Sequence, residues 1–194
     1  HKNGRLDLIQ ICKDQSDDLS MTDIKVDCDE NASFHWYRIV TGSKNSYDNC
    51  SVTLKGKGSS FTADLGYSIK ENGNYDVNCE AIHLGKNTES AINASGVLSD
   101  NAGKIMRSTI DLRTGCSGAV GNENEDVLLM DETVRNRSVP VILCSEEDVV
   151  GNHGASIGRP DEKILYYMGT RGIDAEKASI MLAEAKIFSV IERL

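Results

Sequence analysis

The sequence predicts an all-β body over residues 1–158 that carries a small α-helical hairpin over residues 159–194. Three observations support this. The first part holds a series of short runs rich in Val, Ile and Leu, several of which alternate apolar with polar side chains. Clusters of Asn, Asp, Gly and Ser separate the runs, and no convincing helical period appears before Pro160.

In chain order the runs are 6–12, 24–28, 34–40, 50–54, 61–65, 81–84, 91–98, 105–112, 127–130 and 139–144. Ile24-Lys25-Val26-Asp27 and Thr109-Ile110-Asp111-Leu112 alternate with period two, as a half-buried strand requires. Lys70-Glu71-Asn72-Gly73-Asn74 and Ser99-Asp100-Asn101-Ala102-Gly103 are turns, because these residue types tolerate left-handed backbone or bond their own main chain. Small residues in or beside strands, such as Ser95-Gly96 and Ser117-Gly118-Ala119, suit a stacked solenoid. No strict repeat motif announces one, so the pattern alone leaves sandwich and solenoid both open.

The last 36 residues change style. Pro160-Asp161-Glu162 starts a helix, with proline pre-set for the first turn and acids favoured by the helix dipole. Ile164-Leu165-Tyr166-Tyr167-Met168 follows, and Arg171-Gly172 closes it. Asp174 caps a second helix whose Ala178, Met181, Ala185 and Phe188 recur at three and four, widened by Leu182 and Ile191. Such a segment is too small for its own core, so its apolar face docks on the body or on a partner.

Composition narrows the function. Against 30 Asp+Glu stand 21 Lys+Arg, a net charge of −9 that disfavours binding to a phosphate backbone. No stretch approaches the roughly 18–20 apolar residues of a membrane span. The six cysteines, at 12, 28, 50, 79, 116 and 144, are too sparse for a disulfide-stapled scaffold and read as reduced thiols of a cytoplasmic protein. On that reading the Asn-x-Ser tripeptides at Asn31, Asn49, Asn93 and Asn136 are chance.

Several chemistries lack their residues. Gly56-Lys57-Gly58, Gly85-Lys86-Asn87 and Gly103-Lys104-Ile105 all lack the hydroxyl residue that a phosphate-binding loop places after its lysine. There is no C-x-x-C, H-E-x-x-H or G-x-S-x-G. Cys79 and His83 share a strand face, but four residues of strand hold them about 13 Å apart, and they read as a buried cysteine and a half-buried histidine. Glu146-Glu147-Asp148 reads as a solvated acidic turn rather than a glycosidase pair. The most distinctive string is Gly151-Asn152-His153-Gly154-Ala155-Ser156-Ile157-Gly158-Arg159, where small residues surround one imidazole. Taken alone, His153 is either a turn histidine or an accessible ligand.

The run from His153 to Gly158, then Asp161-Glu162, Leu165-Tyr166-Tyr167 and Arg171-Gly172-Ile173, resembles the C-terminal signature of the SufB/SufD family. That signature reads His-Gly-Ala-Thr, an acidic helix start, an aromatic-bearing helix, and Ser-Arg-Gly-Ile before the last helix. Leu128-Leu129-Met130-Asp131 and Val139-Pro140-Val141-Ile142 are similar to two upstream family segments. The resemblance is specific over about residues 94–194 and suggests a short member or a C-terminal fragment.

The resemblance implies a right-handed parallel β-helix followed by C-terminal helices. It further implies a scaffold subunit of iron–sulfur cluster assembly, not itself an enzyme, that pairs through its β-helix as a homodimer or as a heterodimer with another SufB/SufD-type subunit. A SufC-type ABC ATPase docks on the helices, with Leu165, Tyr166, Tyr167, Met168, Arg171 and Gly172 as contacts. His153 matches the family's interface histidine and is a candidate ligand of a transient cluster; Cys144, nine residues earlier, is the nearest thiol. Gly154 after this histidine follows the SufD type, whereas SufB-type chains carry an acid. Residues 125–138 also lack the cysteine that SufB-type scaffolds place there. The rival readings are a purely structural protein and a β-helix carbohydrate-active protein, the latter short of aromatics with three Phe, one Trp and six Tyr.

Overall fold

The computed structural model describes residues 1–13, 19–42 and 45–193. Among the described residues eleven strands precede two helices: β1 (Arg5–Lys13), β2 (Ser20–Cys28), β3 (Ser33–Gly42), β4 (Asn45–Leu54), β5 (Ser60–Ile69), β6 (Asn74–His83), β7 (Glu89–Leu98), β8 (Gly103–Leu112), β9 (Ala119–Leu129), β10 (Arg135–Cys144), β11 (Val149–Gly158), α1 (Glu162–Thr170) and α2 (Ala175–Ile191). The odd strands form one sheet in the order β1-β3-β5-β7-β9-β11, and the even strands form a second, β10-β8-β6-β4-β2. Every pairing is parallel. Each coil therefore lays one strand in each sheet, which makes a β-solenoid of about five turns. A sandwich built of hairpins would pair neighbours antiparallel, so the alternative falls.

The repeat becomes visible in side-chain ladders between coils. Asn49 Nδ2 donates to Asp23 across 26 residues, Lys2 Nζ to Glu30 across 28, Asn78 Nδ2 to Asn49 across 29, and Arg107 Nη1 to Asp76 across 31. This drift in coil length hides the period from inspection. At one corner a residue with left-handed backbone recurs in five successive coils: Asn3, Asn31, Gly58, Asn87 and Gly118. Each donates its N–H to a carbonyl of the next coil, at 2.9, 2.9, 3.0, 3.0 and 2.6 Å in that order. Asn and Gly are the residues that adopt this backbone at least cost, which suits them to the corner where successive coils stack.

Inward-facing side chains fill the space between the sheets. Trp36 is fully buried and donates its indole N–H to Gln10 at 2.8 Å, and Phe34 stacks on Phe61 with ring centroids 5.7 Å apart. Gly96 lies against the Tyr67 ring, where a Cβ would come within 2.1 Å of a ring carbon. Each fully buried Leu, Ile or Phe contributes about 1.5–3 kcal/mol of hydrophobic stabilisation. His83 is fully buried rather than half-buried, with its ring nitrogens 2.8 Å from the hydroxyls of Thr88 and Ser90. Cys50 and Cys79 are also fully buried and stack in register on β4 and β6.

The helices pack outside the solenoid. Asp161 caps α1 by accepting from the Lys163 N–H, and Asp174 caps α2 by accepting from the Lys177 N–H, both at 2.8 Å. Helix α2 lies across the outer face of β5 and β7, with Val190 against Gly66. Its C-terminal end is pinned by Arg193 to Asp64 at 2.6 Å and by the Tyr37 hydroxyl, which donates to the Arg193 carbonyl at 2.7 Å. Lys186 pairs with Asp126 on β9. Ala178 and Val190 are the buried residues of α2, while Met181 and Phe188 of the anticipated stripe stay exposed. The small residues Gly66 and Ser95 receive the Ser189–Val190 side of the helix instead. Helix α1 packs against α2 and buries no residue.

Candidate functional site

The string singled out in the sequence is a strand and not a turn: residues 149–158 form β11, the last strand of the six-stranded sheet. Its register on β9 is fixed residue by residue, and on the outer face Asn152 Nδ2 donates to Asn122 at 3.0 Å. Side chains alternate between faces, so Gly151, His153, Ala155 and Ile157 point inward, above the buried positions Gly121, Glu123, Glu125 and Val127. Among the described residues no strand pairs with the far edge of β11. Its inward residues are therefore exposed at an open end of the solenoid. Strand β10 closes the other side, and Gly151 faces Ile142 and Leu112 across the interior.

One inward column shows the change of chemistry along the solenoid. Leu8, Trp36, Ala63, Ile92, Glu123 and His153 occupy the same rung on β1, β3, β5, β7, β9 and β11. Apolar side chains give way to a carboxylate and then to an imidazole at the open end. Next to this column Lys104 and Glu125 make a buried ion pair. Lys104 also donates to Ser138 on β10 at 3.2 Å, and its ammonium lies 5.7 Å from the centre of the Tyr67 ring. Glu123 is 5% exposed. Burial raises its pKa, which the Ser108 hydroxyl and the charge of His153 oppose. Burial lowers the Lys104 pKa, against the pull of Glu125. Glu125 Oε2 and Asn136 Oδ1 have no hydrogen-bond partner among the described residues.

Cys144 ends β10, is exposed, and donates its thiol to the Glu146 carbonyl at 3.1 Å. It lies two residues from Ile142 toward the corner, whereas His153 lies two residues beyond Gly151 away from it. Four residues of strand separate the two groups by about 13 Å, too far to share one ion. Among the described residues no three His, Cys, Asp or Glu converge on a metal position. His153 is thus an accessible imidazole on which no second His, Cys, Asp or Glu set converges among the described residues.

The other predicted site residues cluster on α1. Tyr166 and Tyr167 are 77% and 58% exposed, Leu165 and Met168 are half-buried, and Arg171 covers the Tyr167 ring at 5.3 Å. Gly172 takes the left-handed backbone, with φ +79°, that lets the chain turn toward α2. Met181 and Phe188 of α2 are exposed as well. Among the described strand residues Tyr47 is the exposed large aromatic, and they form no aromatic groove along the solenoid. No described helix is long and apolar enough to cross a membrane.

Sequence reasoning missed Glu123, Glu125 and Lys104. The apolar run read from the sequence begins only at Val127, and only the alternation from Gly121 to Val127 hints that both glutamates share a face.

Comparison with known proteins accords with this geometry. Residues 1–186 match the family model described as "SUF system FeS cluster assembly, SufBD core domain". The chain is 34% identical over 115 residues to the iron-sulfur cluster assembly protein SufD of Bacillus subtilis, covering 59% of this chain and 26% of that protein. To SufB of the same organism it is 29% identical over 157 residues, covering 80% of this chain and 33% of that protein. A chloroplastic SufBD family protein of Arabidopsis thaliana is 28% identical over 152 residues, or 77% of this chain and 27% of the relative. The aligned segments thus span about a quarter to a third of these relatives. The likeness reaches well N-terminal of the C-terminal motifs, and the chain belongs to the SufB/SufD family of iron–sulfur cluster assembly proteins.

Proposed function

We propose that this chain is a non-enzymatic scaffold subunit of an iron–sulfur cluster assembly complex. It contributes His153 to a transient cluster, pairs through the open end of its solenoid with a second SufB/SufD-type subunit, and docks a SufC-type ABC ATPase on α1 and α2. One observation carries the reading. The last coil turns an imidazole inward and exposed, at a strand edge whose main-chain groups have no partner strand among the described residues. An open parallel edge readily takes up another strand. A lone imidazole binds iron usefully when a second subunit completes the ligand set, since a cluster needs several donors.

The helical surface fits the second partner. Tyr166 and Tyr167 project from a helix without a buried residue, so their exposure is not needed to hold the fold. Large amphipathic rings of this kind anchor protein interfaces. The chain shows no phosphate-binding loop, and a separate ATPase supplies that function.

The test is anaerobic cluster reconstitution on the complex with the partner subunit, read by visible absorption, together with co-purification of the ATPase. His153→Ala lowers cluster yield, and Tyr166→Ser with Tyr167→Ser abolishes ATPase capture without lowering thermal stability. Unchanged cluster yield removes His153 from the site, and undiminished capture removes α1 from the docking surface.

A further inference from the structure

An imidazole that binds a metal through one nitrogen works best when its other nitrogen is held by a carboxylate or carbonyl, which fixes both tautomer and ring direction. The column beneath His153 supplies such a group. Glu123 is the register partner of His153, on the same inward face, and the outer-face bond between Asn152 and Asn122 locks this alignment. Its carboxylate is buried, and Lys104 closes its ion pair on Glu125 instead. Among the described residues Glu123 closes no ion pair of its own, and His153 is the next side chain above it on the inward face. We propose that Glu123 is the positioning residue for His153: it accepts the inward imidazole N–H, so that the bare nitrogen points out of the open end. This rests on the reading of His153 as a ligand.

The same geometry explains why a carboxylate sits where the preceding coils of this column place Trp36, Ala63 and Ile92. A purely packing role at this rung calls for an apolar side chain, because burial of a carboxylate is costly without a partner that uses it.

The experiment is long-range proton–nitrogen correlation NMR on the full chain with labelled histidine, His153 being assigned through His153→Gln. The native protein shows one tautomer. Glu123→Met, close in size but unable to accept, shows the two-tautomer mixture of a free imidazole. In the paired complex that variant binds the cluster about 10–100-fold more weakly. A mixture already present in the native protein, or a single tautomer surviving in Glu123→Met, overturns the proposal. Should Glu123→Met fail to fold, Glu123→Gln serves in its place. The downfield imidazole N–H resonance then moves upfield or disappears, and an unchanged resonance overturns the proposal. Failure of the ligand reading is distinct: His153→Ala then leaves cluster yield unchanged while the native tautomer is fixed.

Discussion

The middle coils and the last coil share a register and differ in what covers them. At the rung of Trp36, Ala63 and Ile92 every side chain is buried between the coils above and below. Two strands further on, the same rung carries His153 in the open. One backbone geometry thus serves two ends. In the middle it stacks apolar groups to hold the fold, and at the end it presents a chemically capable group on a rigid support. Helix α1 repeats this contrast with α2, the former burying nothing and the latter tethered by Ala178, Val190 and the Arg193–Asp64 pair.

The contrast is broken most forcefully in the core. Trp36→Ala is expected to cost about 3–5 kcal/mol because it opens a large cavity. Ile157→Ala on the last coil, where the side chain is 43% exposed, should cost under about 0.5 kcal/mol. Denaturant unfolding of the two variants checks this, and equal losses would mean that the last coil is packed like the others.

A pH experiment sharpens the same distinction. Burial pushes the His83 pKa down to about 4 from its ordinary value of 6.5. Below pH 6.5 the unfolded chain takes up a proton that the folded chain refuses until about pH 4, so stability falls as the pH drops through that window. The loss is about 3 kcal/mol. His83→Asn removes this pH dependence, seen as a flatter stability curve between pH 7 and 4. A curve as steep as that of the native protein would show that the acid sensitivity arises elsewhere.

The smallest effect is at the tether. Arg193 is about half exposed, so its ion pair with the buried Asp64 is screened by solvent, and Asp64 keeps His35 at 2.6 Å and Asn93 at 3.0 Å. Arg193→Ala should therefore cost about 1 kcal/mol or less. Faster hydrogen exchange in the last turns of α2, with β5 and β7 unchanged, is the expected signature. Equal acceleration in the strands would mean that helix and solenoid open together.

Much of the fold was legible because local chemistry decides it. The 70–74 and 99–103 clusters mark corners, where Asn72 and Asn101 take left-handed backbone, and Asp161 and Asp174 mark helix starts, each through its own backbone preference. Strand β11 escaped notice because strand patterns are read from apolar alternation. An uncapped coil has no apolar layer to satisfy, and Gly151, His153 and Ala155 show none. The solenoid could not be told from a sandwich by pattern, since the coil length drifts. His153 stood out among small residues, but the groups beneath it did not. Glu123 lies thirty residues away in sequence, and only the strand register brings it to the ring.

Backbone hydrogen–deuterium exchange of this chain, alone and paired with a SufB/SufD-type subunit, tests most directly whether the open last coil is the working surface. Protection should rise along β11 and the exposed edge of β10 while β3 to β6 stay as they were. Protection confined to the middle coils, or none at β11, would contradict the assignment of the open end as the pairing face.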